Sequence, residues 1–356
     1  MNEDILRYKF RFITFVLLLG YAFIHIQLTG IYSEVSLSGF MDFSLRLPYG
    51  QRLLVPALLN LLKPFFPIEI EILFFSMEFL FTSLFFFALF QLLQQDFSQR
   101  EAKLLSWFFI LLLPLITVVN YRLSRTGLAT FFYPYDTATL FFMTMGYLFC
   151  LREQWIYLIL WVFLATLNRE SALLLVLIIP ALHWQHVQNV LKPTCYALLA
   201  FILGRALILG LVNGKSGQFL ELSLPNGRNT LFADNLFWLL NEQNLLLFIF
   251  CFAGLCLFWF AFYDFIPIKY RPLRYVALVY FIGLAIVGRF MEARIFSEVV
   301  LLLYLPVCVA IKNWLVNLAP IQPLKTGAAY YIDRYAVLGL LIAMVILFKP
   351  LNNFFR

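Results

Sequence analysis

Four short polar stretches interrupt an otherwise apolar chain, and their residue types suit chemistry on a phosphorylated substrate. The first holds Glu34, Asp42, Arg46 and Arg52; the second holds Arg122, Arg125, Tyr133, Tyr135 and Asp136. The third is Asn168, Arg169 and Glu170, and the fourth is Arg289, Glu292 and Arg294. Arginine dominates over lysine here, and its planar guanidinium grips a carboxylate or phosphate through two parallel hydrogen bonds. Acids interleaved with arginines at a membrane edge suit an anionic lipid head group, with one carboxylate left to act as a base. Charge so close to a bilayer is costly and marks either a solvated flank or a functional site.

Each member also has a purely structural reading. Asp136, after Tyr-Pro-Tyr, is placed to N-cap the next helix. Arg169 and Glu170 can pair between helices. Arg289 with Glu292, and Arg294 with Glu298, have the spacing of helix-surface pairs. Asp42 can be a solvated loop residue. What favours a site is that all four stretches fall on one face of the topology implied by the rest of the chain.

That topology follows from composition. Of 356 residues, 63% are hydrophobic and only 13% charged, whereas a soluble domain carries about 25% charged residues. The fold is therefore all-α, a polytopic integral membrane protein. Residues 12–31 match the roughly 20 apolar residues that a crossing needs. No small-residue cleavage site follows them, so they read as a retained first helix rather than a signal peptide. Arg7, Lys9 and Arg11 hold the preceding segment in the cytoplasm, which puts the polar loop 32–56 outside.

Residues 53–66 are too short and proline-interrupted to cross, and lie at the interface or dip in. Residues 70–93, 104–121 and 137–151 cross. Residues 155–184 read as two short segments meeting at an outer turn, Asn168–Arg169–Glu170–Ser171, because one continuous helix would bury an ion pair at mid-membrane. Residues 194–212, 245–263, 275–288, 295–311 and 335–348 complete the set, with a long outer loop at 213–235. The expectation is a single transmembrane domain over 1–356 with about ten or eleven membrane segments, short or broken ones included. Lys and Arg divide almost evenly between the faces, since the outer one is rich in arginine, so orientation rests on the basic flank of the first helix and on basic inner loops.

Other chemistries find little support. The net charge of +7 is scattered over helix ends, without the basic patch of a nucleic-acid binder. The five cysteines lie inside apolar runs and read as buried thiols, not a disulfide framework. His183 and His186 are three apart with no third ligand in sight, and Glu78, isolated in an apolar run, reads as a partner for another helix. Phosphate-loop, zinc-protease, nucleophile-elbow and dinucleotide signatures are all missing.

The order of the polar clusters resembles the GT-C class of polytopic membrane glycosyltransferases, which take sugar from a polyprenyl-phosphate donor on the extracytoplasmic side. The resemblance lies in an acid in the first outer loop followed by PYGQRLLVPALL, and then in YPYDTATLFF, LNRESALLL and GRFMEARIFSEVVLLLYLP. It covers most of the chain as architecture, with short, degenerate motifs. It implies a GT-C-like fold, in a bacterial inner (plasma) membrane, with the active face outside.

The same resemblance implies a first-loop carboxylate as general base, a position that Asp42 matches best and Glu34 second. It implies Asp136 as a second acid, orienting the acceptor or a divalent cation, and Arg169, Arg289 and Arg294 as the grip on the donor phosphate. Arg46, Arg52, Tyr135, Glu170 and Glu292 complete the candidate substrate site. The family's adjacent acidic pair is not reproduced, since Glu34 and Asp42 stand apart in the loop. The acceptor is a lipid, a glycan or a protein.

Two alternatives stand beside this reading. One is a transporter or flippase of an anionic lipid or solute, with Glu78, Arg205 and Glu298 lining its path. The other is a polymerase or ligase of cell-surface polysaccharide that shares the outer arginines.

Overall fold

The computed structural model describes residues 2–32, 34–119, 131–220, 222, 230–316, 319–321 and 327–355. Arg122 and Arg125 lie outside the described residues. Among those described, seven helices are long and apolar enough to cross a membrane, or eight if the bent pair Glu242–Phe250 and Leu255–Ala261 forms one span. Three shorter apolar helices, Asp136–Leu151, Trp155–Asn168 and Glu170–Leu182, accompany them. The chain is an all-α polytopic integral membrane protein with short and broken segments, as its sequence predicts. An isolated β-bridge joins Gly30 and Phe131.

The chain divides into two compact units, Met1–Val176 with Pro193–Gly217, and Leu177–Lys192 with Gln218–Arg356. In the first unit, α1 (Asn2–Gln27) is followed by the short α2 (Leu37–Met41) and α3 (Leu54–Leu62). The central helix α4 (Ile70–Leu93) packs on α1, on α5 (Gln99–Pro114) and most extensively on α6 (Asp136–Leu151), which in turn packs on α7 (Trp155–Asn168). At about 36 Å, α4 is long enough to span the hydrocarbon core. A reciprocal cap starts α5: Ser98 Oγ accepts from the Glu101 N–H, and Glu101 returns the bond to the Ser98 N–H at 2.8 Å. Pro114 removes a donor near the end of α5, and the ladder widens into a π turn over Leu115–Val119.

The first helix begins earlier and ends earlier than the apolar run 12–31, because its basic flank is itself helical and the chain turns after Gln27. The break predicted at Asn168–Ser171 is present. There α7 stops at Asn168, Arg169 is extended (φ −159°, ψ 147°), a 3₁₀ turn covers Glu170–Ala172, and α8 (Leu173–Leu182) follows. The next helix, α9, is Val187–Leu211.

The second unit corrects two expectations. The loop predicted over 213–235 ends in a helix, α10 (Leu231–Leu239), which starts where Thr230 Oγ1 accepts the Ala233 N–H at 3.2 Å. The segment 245–263 is two helices, α11 (Glu242–Cys251) and α12 (Leu255–Ala261), bent by 79°. Ala253 (φ +50°) and Gly254 (φ +67°) take the left-handed conformation that turns the chain there. The core helix is α14 (Ser297–Leu315), which packs on α12 and on α13 (Leu273–Val287). Rings of Phe248, Phe252, Phe281, Phe290 and Phe296 interlock around its start. The next helix, α15 (Ala328–Ile346), has no buried residue. It is tied down by two ion pairs, Arg274 with Asp333 and Arg334 with Asp264, each at 2.7 Å.

Candidate functional site

The polar loop after α1 is built, not loose. Ser36 caps α2 by accepting the Gly39 N–H at 3.0 Å, and Asp42 closes that helix at its C-terminal end. The loop is then tied on both sides. The Leu47 N–H donates to the Ser216 carbonyl at 2.8 Å, and the Leu53 N–H donates to the Leu167 carbonyl at 3.1 Å. Gly217 makes the first tie possible. It sits at φ +101°, and a Cβ there would lie 2.4 Å from the Leu47 carbonyl oxygen, a conformation and approach open only to glycine.

These ties carry Arg52 to the break between α7 and α8. Arg52 pairs with Glu170 at 2.9 Å, donates to the Tyr135 hydroxyl at 3.0 Å, and stands 4.6 Å over the Tyr135 ring. Beside it, Arg169 pairs with Asp136 at 3.3 Å, both side chains being buried. Asn168 fixes the same corner, donating to the Tyr135 carbonyl at 3.1 Å and to Thr139 Oγ1 at 2.9 Å. Asp136 is not an N-cap. Tyr135 holds that position without a side-chain cap, and the Asp136 carboxylate turns to Arg169 instead.

Two further cations meet the same loop. Arg205, from within α9, donates to Gln51 Oε1 at 2.7 Å, and Lys215 Nζ donates to the Gly50 carbonyl at 3.3 Å. Arg52, Arg169 and Arg205 thus act on Glu170, Arg169 also pairs with Asp136, and Lys215 is tied to the loop at Gly50. Burial works against ionising Glu170, but the Arg52 and Arg169 guanidiniums outweigh it and hold its carboxyl down to about 2. Its side chain keeps 39% exposure, so solvent screens part of that attraction. A carboxylate so acidic is a poor proton acceptor at neutral pH.

The carboxylates named from the sequence therefore differ in kind. Glu34 is held by Arg46 at 2.5 Å, Glu170 by Arg52 and Asp136 by Arg169. Asp42 is exposed, and among the described residues its side chain has no hydrogen-bond or ion-pair partner. Two nearby residues of the same loop, Phe40 and Phe43, line a small pocket with Arg52 and Lys215. That pocket measures about 10 Å³, room for one water molecule at most, so any larger substrate needs the loop to move. Among the described residues no three or more His, Cys, Asp or Glu side chains gather as a metal site.

The fourth stretch belongs to the second unit. After α13, Gly288 is extended (φ −103°, ψ 172°) and the helix stops, so Arg289 and Glu292 do not face each other along a helix surface. Arg294 is buried and pairs with Glu292 instead, while Arg289 is half-buried. Asn235 shapes this turn: its Nδ2 donates to the Ala285 and Gly288 carbonyls, and its Oδ1 accepts the Phe290 N–H. Glu298 is fully buried and accepts from the Tyr280 and Ser297 hydroxyls, both at 3.1 Å.

The sequence reading of Glu78 as a partner for another helix is met, by a residue it did not name. His25, near the end of α1, is hydrogen-bonded through Nδ1 to Glu78 Oε1 at 2.8 Å, and Thr137 donates to the same oxygen at 2.6 Å. Both ionisable groups are buried, and the outer atoms, His25 Nε2 and Glu78 Oε2, have no hydrogen-bond partner. The readable signal was a lone histidine and a lone glutamate, each within a candidate span, since an intramembrane ionisable group calls for a partner. Lys215 and Gln51 gave no such signal, because polar residues are ordinary in loops.

In comparisons with known proteins, no family model matches the chain and no curated protein matches it.

Proposed function

We propose that the chain is an extracytoplasmic glycosyltransferase that moves a sugar from a polyprenyl-phosphate donor to a hydroxyl acceptor, at the outer face of a bacterial inner membrane. One observation carries the reading: Asp42 is the acid of the group with no arginine partner, on a loop that also presents Arg52. In this mechanism Asp42 takes the acceptor hydroxyl proton as the oxygen forms its bond to the anomeric carbon. The bond from that carbon to the phosphate oxygen breaks, and the polyprenyl phosphate leaves with the electron pair. Arg52 and Arg169, with Arg205 and Lys215, stabilise the charge that develops on the leaving phosphate. Glu170 and Asp136 keep the two inner arginines ionised and oriented.

The test is release of polyprenyl phosphate by purified protein in liposomes given a polyprenyl-phosphate-linked sugar. Asp42→Asn is expected to cut turnover about 100-fold or more, the usual scale for a lost general base, while donor binding persists. Full turnover in that variant contradicts the assignment.

A second reading, a transporter of an anionic lipid or solute, is favoured by the buried His25–Glu78 pair, which is the kind of group that relays protons inside membranes. It predicts donor-independent movement of an anion across liposomes, sensitive to Glu78→Gln and indifferent to Asp42→Asn.

A further inference from the structure

A groove of about 620 Å³ opens on the side of the first unit between α1, α4 and α5. Its walls are aromatic, with Phe15 from α1 and Phe79, Phe86 and Phe90 from α4, and its rim carries Arg11 and Lys103. The rim lies near the start of the apolar span of α1 (Tyr8–Gln27), near the start of α5 and at the end of α4. The loop with Asp42 and Arg52 joins the opposite ends of those helices, so the groove opens at the other membrane face from the candidate site.

Three features on the page specify an occupant. The volume is that of a small-molecule site, within the usual range of about 300–1,000 Å³. Along α4, the step from Phe90 to Phe79 covers about 16 Å at 1.5 Å per residue, which is one half of the roughly 30 Å hydrocarbon core. The two charged residues that line the groove are both cationic. Among the described residues neither Arg11 nor Lys103 pairs with a carboxylate, and Lys103 Nζ rests 5.2 Å from the Phe10 ring centroid. The nearby Glu101 is turned to the Ser98 N–H as the cap of α5.

We propose that this groove is a specific site for one anionic phospholipid of the leaflet at that face. Its phosphate sits between Arg11 and Lys103, and one acyl chain lies along the phenylalanine wall. Basic rims between membrane helices recognise such head groups by charge; here the wall depth adds a fit to a single leaflet. Gln99, also on the groove, is placed to hydrogen-bond the head group.

Native mass spectrometry of the purified full-length chain, titrated with phosphatidylglycerol or phosphatidylcholine in detergent, tests this. The expected result is one retained phosphatidylglycerol, preferred over phosphatidylcholine by tenfold or more. Arg11→Gln/Lys103→Gln should weaken phosphatidylglycerol roughly ten- to thirtyfold, from the size of two surface cation contacts. Lys9→Gln/Arg100→Gln makes the same charge change on exposed neighbours outside the groove and should leave affinity within twofold. Ser83→Trp fills the groove with its charges intact and should abolish the one-lipid species, while circular dichroism confirms that the variant is folded. Equal weakening by both charge pairs overturns the proposal in favour of general surface attraction. Unchanged binding in folded Ser83→Trp overturns it too, as does equal binding of the two lipids.

Discussion

Asp136 and Arg169 are the most deeply buried charges of the candidate site, at 4% and 6% side-chain exposure. Removing one partner strands the other, which costs about 3–5 kcal/mol in a buried pair. Asp136→Ala should therefore lower unfolding stability by that amount in a denaturant titration, and a loss below about 1 kcal/mol would mean that Arg169 finds another anion. Glu170 behaves differently with pH. Its carboxyl is held below its ordinary value, so its contribution is complete above the ordinary carboxylate range and is lost only as pH falls toward about 2. Between pH 5 and 8 phosphate affinity should be flat with respect to this group, and Glu170→Gln should not change the slope of that pH profile. The residue types were legible in the sequence, because arginine recurring beside acids in a greasy chain is a chemical signal. The pairings were not. Nothing in the order of residues says that Asp136 faces Arg169 rather than capping its own helix, since that choice depends on how α6 meets the break after α7.

The helices of the first unit were legible to within a few residues wherever an apolar run ended in charge or polar turn residues, as at α4 and α6. The break at Arg169 was legible for the same reason, since a continuous helix would have placed an ion pair in hydrocarbon. What the sequence hides is how loops are sewn. The contact of Leu47 with Ser216 joins residues far apart in the chain and depends on a glycine that looks like any other. Gly217→Ala places a Cβ 2.4 Å from the Leu47 carbonyl oxygen at φ +101° and should cost about 1–3 kcal/mol, read as a lowered thermal midpoint with weaker phosphate binding. Gly210→Ala, where a Cβ meets nothing within 4 Å, should be neutral or slightly stabilising inside its helix. Equal losses from the two would show that helix packing, not the loop tie, sets the effect. The bend at Ala253–Gly254 is not legible because an alanine and a glycine in an apolar run read as continuous helix until their positive φ values are seen.

At the scale of the molecule, composition settles the class, an integral membrane protein of many apolar helices, and the account adds one asymmetry. On the proposed topology Asp42, Arg52 and Glu170 fall on one membrane face and Lys103 on the other. Sidedness is the premise on which extracytoplasmic transfer stands, because a polyprenyl-phosphate sugar must meet the base and the arginines on the same side. The direct measurement uses a cysteine-free background with single cysteines at 42, 170 and 103, labelled in intact cells by a membrane-impermeant thiol reagent. Positions 42 and 170 are expected to react from outside, and position 103 only after the cells are opened. Labelling of 42 from outside with 170 reached only from within would split the candidate site across the bilayer and rule out extracytoplasmic transfer at a single site.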